Sequence, residues 1–155
     1  MTYNIVYLDA SALVKRYVEE AGSEEVRNLL EQVPVIGTAM ITRVEVAAAL
    51  AKATRMGILP VKEALTALEA FYEEWRFLER VHVTESVIFR ASALAWEKKL
   101  RGYDATHLAA ALVWQEMMET SVTMATFDRE LWIAARNSGL YVWPVDLSSA
   151  CIWNA

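Results

Sequence analysis

Short apolar runs rich in β-branched residues alternate, from one end of the chain to the other, with longer stretches of helical pattern. Tyr3–Leu8 (YNIVYL), Val35–Thr38, Phe77–Val83, Val122–Thr126 and Tyr141–Val145 read as strands, being short and carrying residues that suit a pleated, buried surface. Helical stretches separate them: Ala12–Tyr17, Ser23 to Gln32, Thr42–Met56, Pro60 to Trp75, Thr84 to Leu100, Ala105–Glu119, and a last one from Asp128 to Ser138–Gly139. Such alternation is the pattern of parallel strands joined by helical crossovers. The expected class is therefore α/β, with a mainly parallel sheet covered by helices. No repeat, low-complexity tract or linker interrupts the 155 residues, so a single domain over residues 1–155 is expected.

Local chemistry marks where the elements begin and stop. Ser23 can cap a helix whose first turn carries Glu24 and Glu25. Thr42 and Glu45 match a capping box, and Gly57 supplies a C-terminal stop. Pro60 opens the next helix. Thr84 caps the one after it, which Gly102 is expected to stop. Asp104 and Asp128 stand where caps of the last two helices would stand.

In an open parallel sheet, ligands bind beyond the carboxyl ends of the strands. Asp9 directly follows the first strand and Asp128 the fourth, so both are expected to face one site. A phosphodiester cut by water needs an activated nucleophile and a shield for developing charge, and a bound Mg²⁺ supplies both. Mg²⁺ keeps several waters and takes few carboxylates, so three or four acids at a sheet rim suffice. Asp9, Glu45, Asp104 and Asp128 all fall at strand ends or helix starts. Each also has a plain structural explanation: a turn at Asp9, caps at Asp104 and Asp128, a capping box at Glu45.

The other residues narrow the chemistry. Cys151 is the single cysteine, which excludes an internal disulfide and a cysteine-built zinc site. With only His82 and His107 beside it, a metal must sit mainly on oxygen, which favours Mg²⁺ or Mn²⁺. No apolar run reaches the roughly 18 residues of a membrane span: Ala47–Ala51 ends at Lys52, and Leu108–Trp114 ends at Gln115. The N-terminus has no basic region or cleavage site, and a cytoplasmic location is the expectation. The net charge of −5 opposes the usual basic character of a nucleic-acid binder. Each acid nevertheless has a basic neighbour in sequence: Lys15 and Arg16 after Asp9, Arg43 before Glu45, Lys98, Lys99 and Arg101 before Asp104, and Arg129 after Asp128.

Four segments in order resemble a known family. YLDASALVKRY (Tyr7–Tyr17), ITRVEVAAAL (Ile41–Leu50), YDATHLAAAL (Tyr103–Leu112) and TFDREL (Thr126–Leu131) resemble the four motifs of PIN domains, and their order and spacing match the VapC-type toxins of bacteria and archaea. The resemblance covers nearly the whole chain. It implies a Rossmann-like three-layer α/β/α sandwich and endonucleolytic cleavage of RNA with Mg²⁺ or Mn²⁺. It also implies a metal site on Asp9, Glu45, Asp104 and Asp128, with Ser11 and Thr126 as minor hydroxyl candidates. Its partners would be an RNA substrate and a cognate antitoxin that lays a helix in an apolar groove. A homodimer is expected on the same resemblance, and because 55% hydrophobic residues leave more apolar surface than a monomer comfortably exposes.

Two other readings stand beside it. A haloacid-dehalogenase-like phosphatase also places an Asp after its first strand, but it wants a second Asp two residues on, where this chain has Ser11. The other is a catalytically silent PIN-like scaffold that only binds a partner. His107, one turn after Asp104, reads as a packing or capping residue, and His82 as structural. The six tryptophans are spaced mostly like core or interface residues, with Trp143 and Trp153 as candidates for contact with a partner.

Overall fold

A computed structural model describes residues 2–147 of the chain, and its first strand shows how the protein is layered. β1 (Ile5–Leu8) is buried along its whole length. Successive side chains of a strand leave on opposite faces. Ile5 and Tyr7 accordingly enter one apolar core, while Val6 and Leu8 enter another. The first core is closed by α5 (Glu85–Lys98), α6 (Gly102–Met118) and α7 (Arg129–Asn137). The second is closed by α1 (Ala10–Leu13), α2 (Ser23–Gln32), α3 (Thr42–Arg55) and α4 (Val61–Glu74). The result is a three-layer α/β/α sandwich.

The sheet has five strands in the order β3-β2-β1-β4-β5, where β2 is Val35–Ala39, β3 Glu79–Val81, β4 Thr123–Ala125 and β5 Tyr141–Trp143. Every pairing is parallel. The chain builds outward from β1 through β2 to β3, then returns to the other side of β1 with β4. That reversal makes the β1/β4 junction a topological switch point, where a crevice opens beyond the carboxyl ends of the strands. Asp9 follows β1 and Asp128 follows β4, so both lie at this crevice.

Close packing on the sheet depends on small side chains. Ala109, Ala110 and Ala111 of α6 are fully buried, and small residues let a helix approach its neighbours closely. Gly37 in β2 is matched to one bulky neighbour, since an added Cβ would sit 2.4 Å from the Trp114 ring.

Several boundaries differ from the sequence reading. Ser23 does not cap α2; Gly22, in the left-handed region at φ 91, holds the cap position. The Ser23 hydroxyl instead donates to Val18 O and accepts from the Glu20 amide. The first helix starts at Ala10 rather than Ala12, because the Asp9 carboxylate caps it, and it tightens into a 3₁₀ turn over Val14–Arg16. Gly102 does not stop α5. Lys99 does so at φ 58, and Gly102 opens α6. Phe77 belongs to a 3₁₀ turn, which shortens β3 to Glu79–Val81. Gly57, at φ 69 just past α3, and the Thr84 cap of α5 stand as expected. Trp75 and Trp114 are buried, Trp96 is exposed, and Trp143 packs edge-on against Phe127. Cys151 and Trp153 lie outside the described residues. No helix among the described residues is long and apolar enough to cross a membrane.

Candidate active site

Because the strands are parallel, their carboxyl ends share one edge, and the helix that enters the sheet at β4 begins there. Asp9 ends β1. Glu45 sits in the first turn of α3 after β2. Asp104 lies in the first turn of α6, and Asp128 follows β4. All four acids line one cleft of ≈ 690 Å³, together with Ser11, Arg101 and His107. One wall of that cleft is apolar, formed by residues such as Val44, Ala48, Met56, Ile58 and Leu59.

Asp9 is almost wholly buried and is held on every side. The Ser11 hydroxyl donates to its carboxylate at 2.7 Å, Thr126 Oγ1 donates at 2.8 Å, and the Ala12 amide at 3.1 Å. The two hydroxyls accept in turn from the amides of Phe127 and Asp128. The minor hydroxyl candidates thus tie the end of β1 to the end of β4. Burial pushes the Asp9 carboxyl up from 3.8 to about 6, against the opposing pull of His107 and these hydrogen bonds. Burial, and then the charge of Asp128, also raise Asp104, although Arg101 works against them.

The capping box expected at Glu45 does not form. Ile41 occupies the cap position of α3 without a side-chain cap bond. The Thr38 hydroxyl donates to Leu8 O, and Thr42 Oγ1 lies 2.7 Å from Thr38 Oγ1. Glu45 is free for another partner, and its Oε1 lies 2.6 Å from His107 Nε2. A carboxylate only accepts, so Nε2 donates. The other ring nitrogen, Nδ1, meets the buried Tyr7 hydroxyl at 2.7 Å. Burial works against a charged His107 ring, but the Glu45 hydrogen bond and the charges of Glu45, Asp9 and Asp104 outweigh it, and the pKa is raised. His107 is therefore both a core residue and the support of Glu45. The sequence signal for it was its place one turn after Asp104. Its partner, 62 positions away, had no local signal. His82 is exposed and lies just past β3.

Asp104 does not cap α6; Arg101 holds that position. Asp128 is a true cap, its Oδ1 accepting from the Leu131 amide at 2.9 Å. The basic neighbours of the acids divide sharply. Lys15 is buried against Glu20 and the Phe127 ring, Arg16 pairs with Glu74, and Arg43 stacks 3.9 Å from the Tyr72 ring centroid. Arg101 alone of those named turns to the acids, bonding both Asp104 and Asp128.

Among the described residues, no three Asp, Glu, His or Cys side chains are already gathered around a single ion-sized point. The donor set nevertheless fits a hard divalent ion: four carboxylates bring only oxygen to one cleft, and Mg²⁺ takes one or two of these and keeps its waters.

The PIN domain family matches residues 6–137. Ribonuclease VapC49 of Mycobacterium tuberculosis is 34% identical over 143 residues, spanning 92% of this chain and 97% of its own. Among solved structures, VapC20 of Mycobacterium tuberculosis, a sarcin–ricin-loop-cleaving toxin, superposes with a TM-score of 0.62 at 19% identity, covering 83% of this chain and 94% of its own. A toxin–antitoxin complex from Klebsiella pneumoniae contains a chain with a TM-score of 0.52 at 17% identity, covering 76% of this chain and 83% of its own.

Proposed function

We propose, from the premise that this chain belongs to the PIN domain family and has ribonuclease VapC relatives, that it is a divalent-metal-dependent endoribonuclease, the toxin of a toxin–antitoxin pair. The observation that carries this is the meeting of Asp9, Glu45, Asp104 and Asp128 in one cleft at the switch point of the sheet.

In this reading Asp9, Glu45, Asp104 and Asp128 hold the metal. When bound, Mg²⁺ or Mn²⁺ supplies the Lewis acidity that activates water and offsets charge on the phosphate. Ser11 and Thr126 fix the Asp9 carboxylate so that it presents its oxygens without rotating. His107, itself anchored on Tyr7, fixes Glu45 in the same way. Such supporting hydrogen bonds orient metal-binding groups and tune their basicity. Lys52 and Arg101 line the cleft and are the cations placed to meet the RNA backbone. No side chain has to act as a nucleophile.

The family match sets aside the phosphatase reading, and the contacts of Ser11 agree with that, since its hydroxyl is committed to Asp9. A catalytically silent scaffold is separated by experiment. Purified protein incubated with total RNA should produce new ends with Mn²⁺ or Mg²⁺ and none in excess EDTA. Undiminished cleavage in EDTA, or no cleavage with either metal, defeats the proposal.

Complexes of structural relatives with antitoxins support a protein partner here. The apolar wall beside the acids suits the apolar face of a partner helix. Self-association is supported by a second set of exposed apolar side chains, Ile88, Phe89 and Trp96 on α5. Light scattering at micromolar concentration should give a dimer mass, and a monomer mass would count against it.

A further inference from the structure

Arg101 occupies a position that helix energetics disfavour. It is the N-cap of α6, with an extended backbone at φ −63 and ψ 154 and no side-chain cap bond. Ser, Thr, Asp and Asn are preferred there, and a cation at a helix N-terminus opposes the helix dipole. Its backbone is nevertheless held firmly. Lys99 ends α5 in the left-handed region and Leu100 is buried, leaving Arg101 at the end of a three-residue connection.

The guanidinium bridges two of the four acids. Its Nε donates to Asp104 Oδ2 at 3.0 Å, and its Nη2 donates to Asp128 Oδ2 at 2.6 Å. The Arg101 side chain is 60% exposed, while the Asp104 and Asp128 side chains it bridges are 9% and 10% exposed, so the guanidinium stays open to a ligand entering the cleft. The bridge does commit the oxygens of Asp128. Oδ1 accepts from the Leu131 amide and Oδ2 from Arg101, so a metal ion drawing on Asp128 must share or displace that second contact. Asp104 also meets Arg101 through one oxygen. A guanidinium has five N–H donors in a planar fork, a shape that matches two oxygens of a phosphate.

We propose that Arg101 exchanges partners during the reaction cycle. It holds Asp104 and Asp128 until metal and RNA arrive, then turns its fork to the non-bridging oxygens of the substrate phosphate. Arg101 is thus a substrate-binding residue that opposes metal entry and favours RNA. This rests on the nuclease reading. It carries a signature that a structural role does not, because its removal moves metal binding and RNA binding in opposite directions.

The test compares wild type with Arg101→Gln and Arg101→Lys. Mn²⁺ affinity is measured by calorimetry, and binding of a fluorescein-labelled single-stranded RNA is measured in Ca²⁺ across a salt series. Arg101→Gln should bind Mn²⁺ several-fold tighter and RNA about tenfold weaker, and its salt slope should fall by about one. Arg101→Lys keeps the charge without the fork, so its Mn²⁺ affinity should stay near wild type while its RNA affinity falls between the other two. Weaker Mn²⁺ binding by Arg101→Gln, or RNA binding equal to wild type, overturns the proposal. If wild type itself neither binds Mn²⁺ nor cuts RNA, the nuclease reading fails. If wild type does both and the variants match it, only the role of Arg101 fails.

Discussion

Asp104→Asn is expected to lower RNA cleavage by about a thousandfold or more, the usual scale for loss of a group the chemistry depends on, while the protein stays folded. The fold does not need this carboxylate. Asp104 lies inside the first turn of α6 and does not cap it, and its hydrogen-bonding partner is the Arg101 side chain. The charge is also carried at a cost, because burial and the neighbouring Asp128 both raise the Asp104 pKa. Replacing it with a neutral isostere relieves that cost, so the melting temperature in EDTA should be unchanged or higher. Metal should then stabilise wild type more than the variant, because a ligand that binds only the folded state adds stability according to its affinity. Single-turnover cleavage with Mn²⁺, beside thermal melts with and without it, reads all three. Cleavage within tenfold of wild type would remove Asp104 from the metal site. Asp104 gives a cleaner test than Asp128 or Asp9, because those two also cap α7 and α1.

In EDTA, the protein should become more stable as the pH falls from 8 to 5. Asp9 is raised from 3.8 to about 6 by burial. A carboxyl raised in the folded state binds its proton more tightly there than in the unfolded chain. Its stabilising contribution is complete below about pH 4 and is lost as the pH rises through about 6. Between pH 8 and pH 5, Asp9 alone should return about 1.5 kcal/mol, on the scale of 1.36 kcal/mol per pKa unit. Asp104 and His107 are raised as well, so their contributions are also lost on going up in pH. Glu74 works the other way: burial pushes it up, but the hydrogen bonds of Arg16 and Tyr17 outweigh that and hold it below its ordinary value, and that contribution is lost only in more acidic solution. Urea unfolding at pH 5 and pH 8 measures the difference. Mn²⁺ at pH 8 should restore much of the lost stability if the ionised acids hold it as proposed. A steady fall in stability from pH 8 down to pH 5 in EDTA would contradict the account.

Both effects depend on burial and on neighbours distant in sequence, and this is where the sequence reading reached its limit. The alternation of strand and helix was legible because each element's pattern is local: β-branched runs for strands, caps and stops for helices. Thr84, Asp128 and Gly57 acted as read, since a cap or stop needs only the next turn of its own helix. The four acids were legible through their motifs, and the parallel sheet then placed all of them on one edge.

Where local and distant partners competed, only the tertiary structure decided. Thr42 and Glu45 had the spacing of a capping box, but folding brought Thr38 to the first and His107 to the second, and the box did not form. Lys15, Arg16 and Arg101 looked equivalent as basic neighbours of acids. The fold gave the first two to Glu20 and Glu74 and the third to Asp104 and Asp128. The pKa of Asp9 was equally beyond the sequence, because desolvation depends on everything packed around a group. The sequence by itself determined the succession of elements and the class of fold, and it singled out the four acids that line one cleft. The tertiary structure decided what holds each acid, and that burial raises the Asp9 and Asp104 carboxyls, because a hydrogen bond or an ion pair forms with whatever group folding brings within reach.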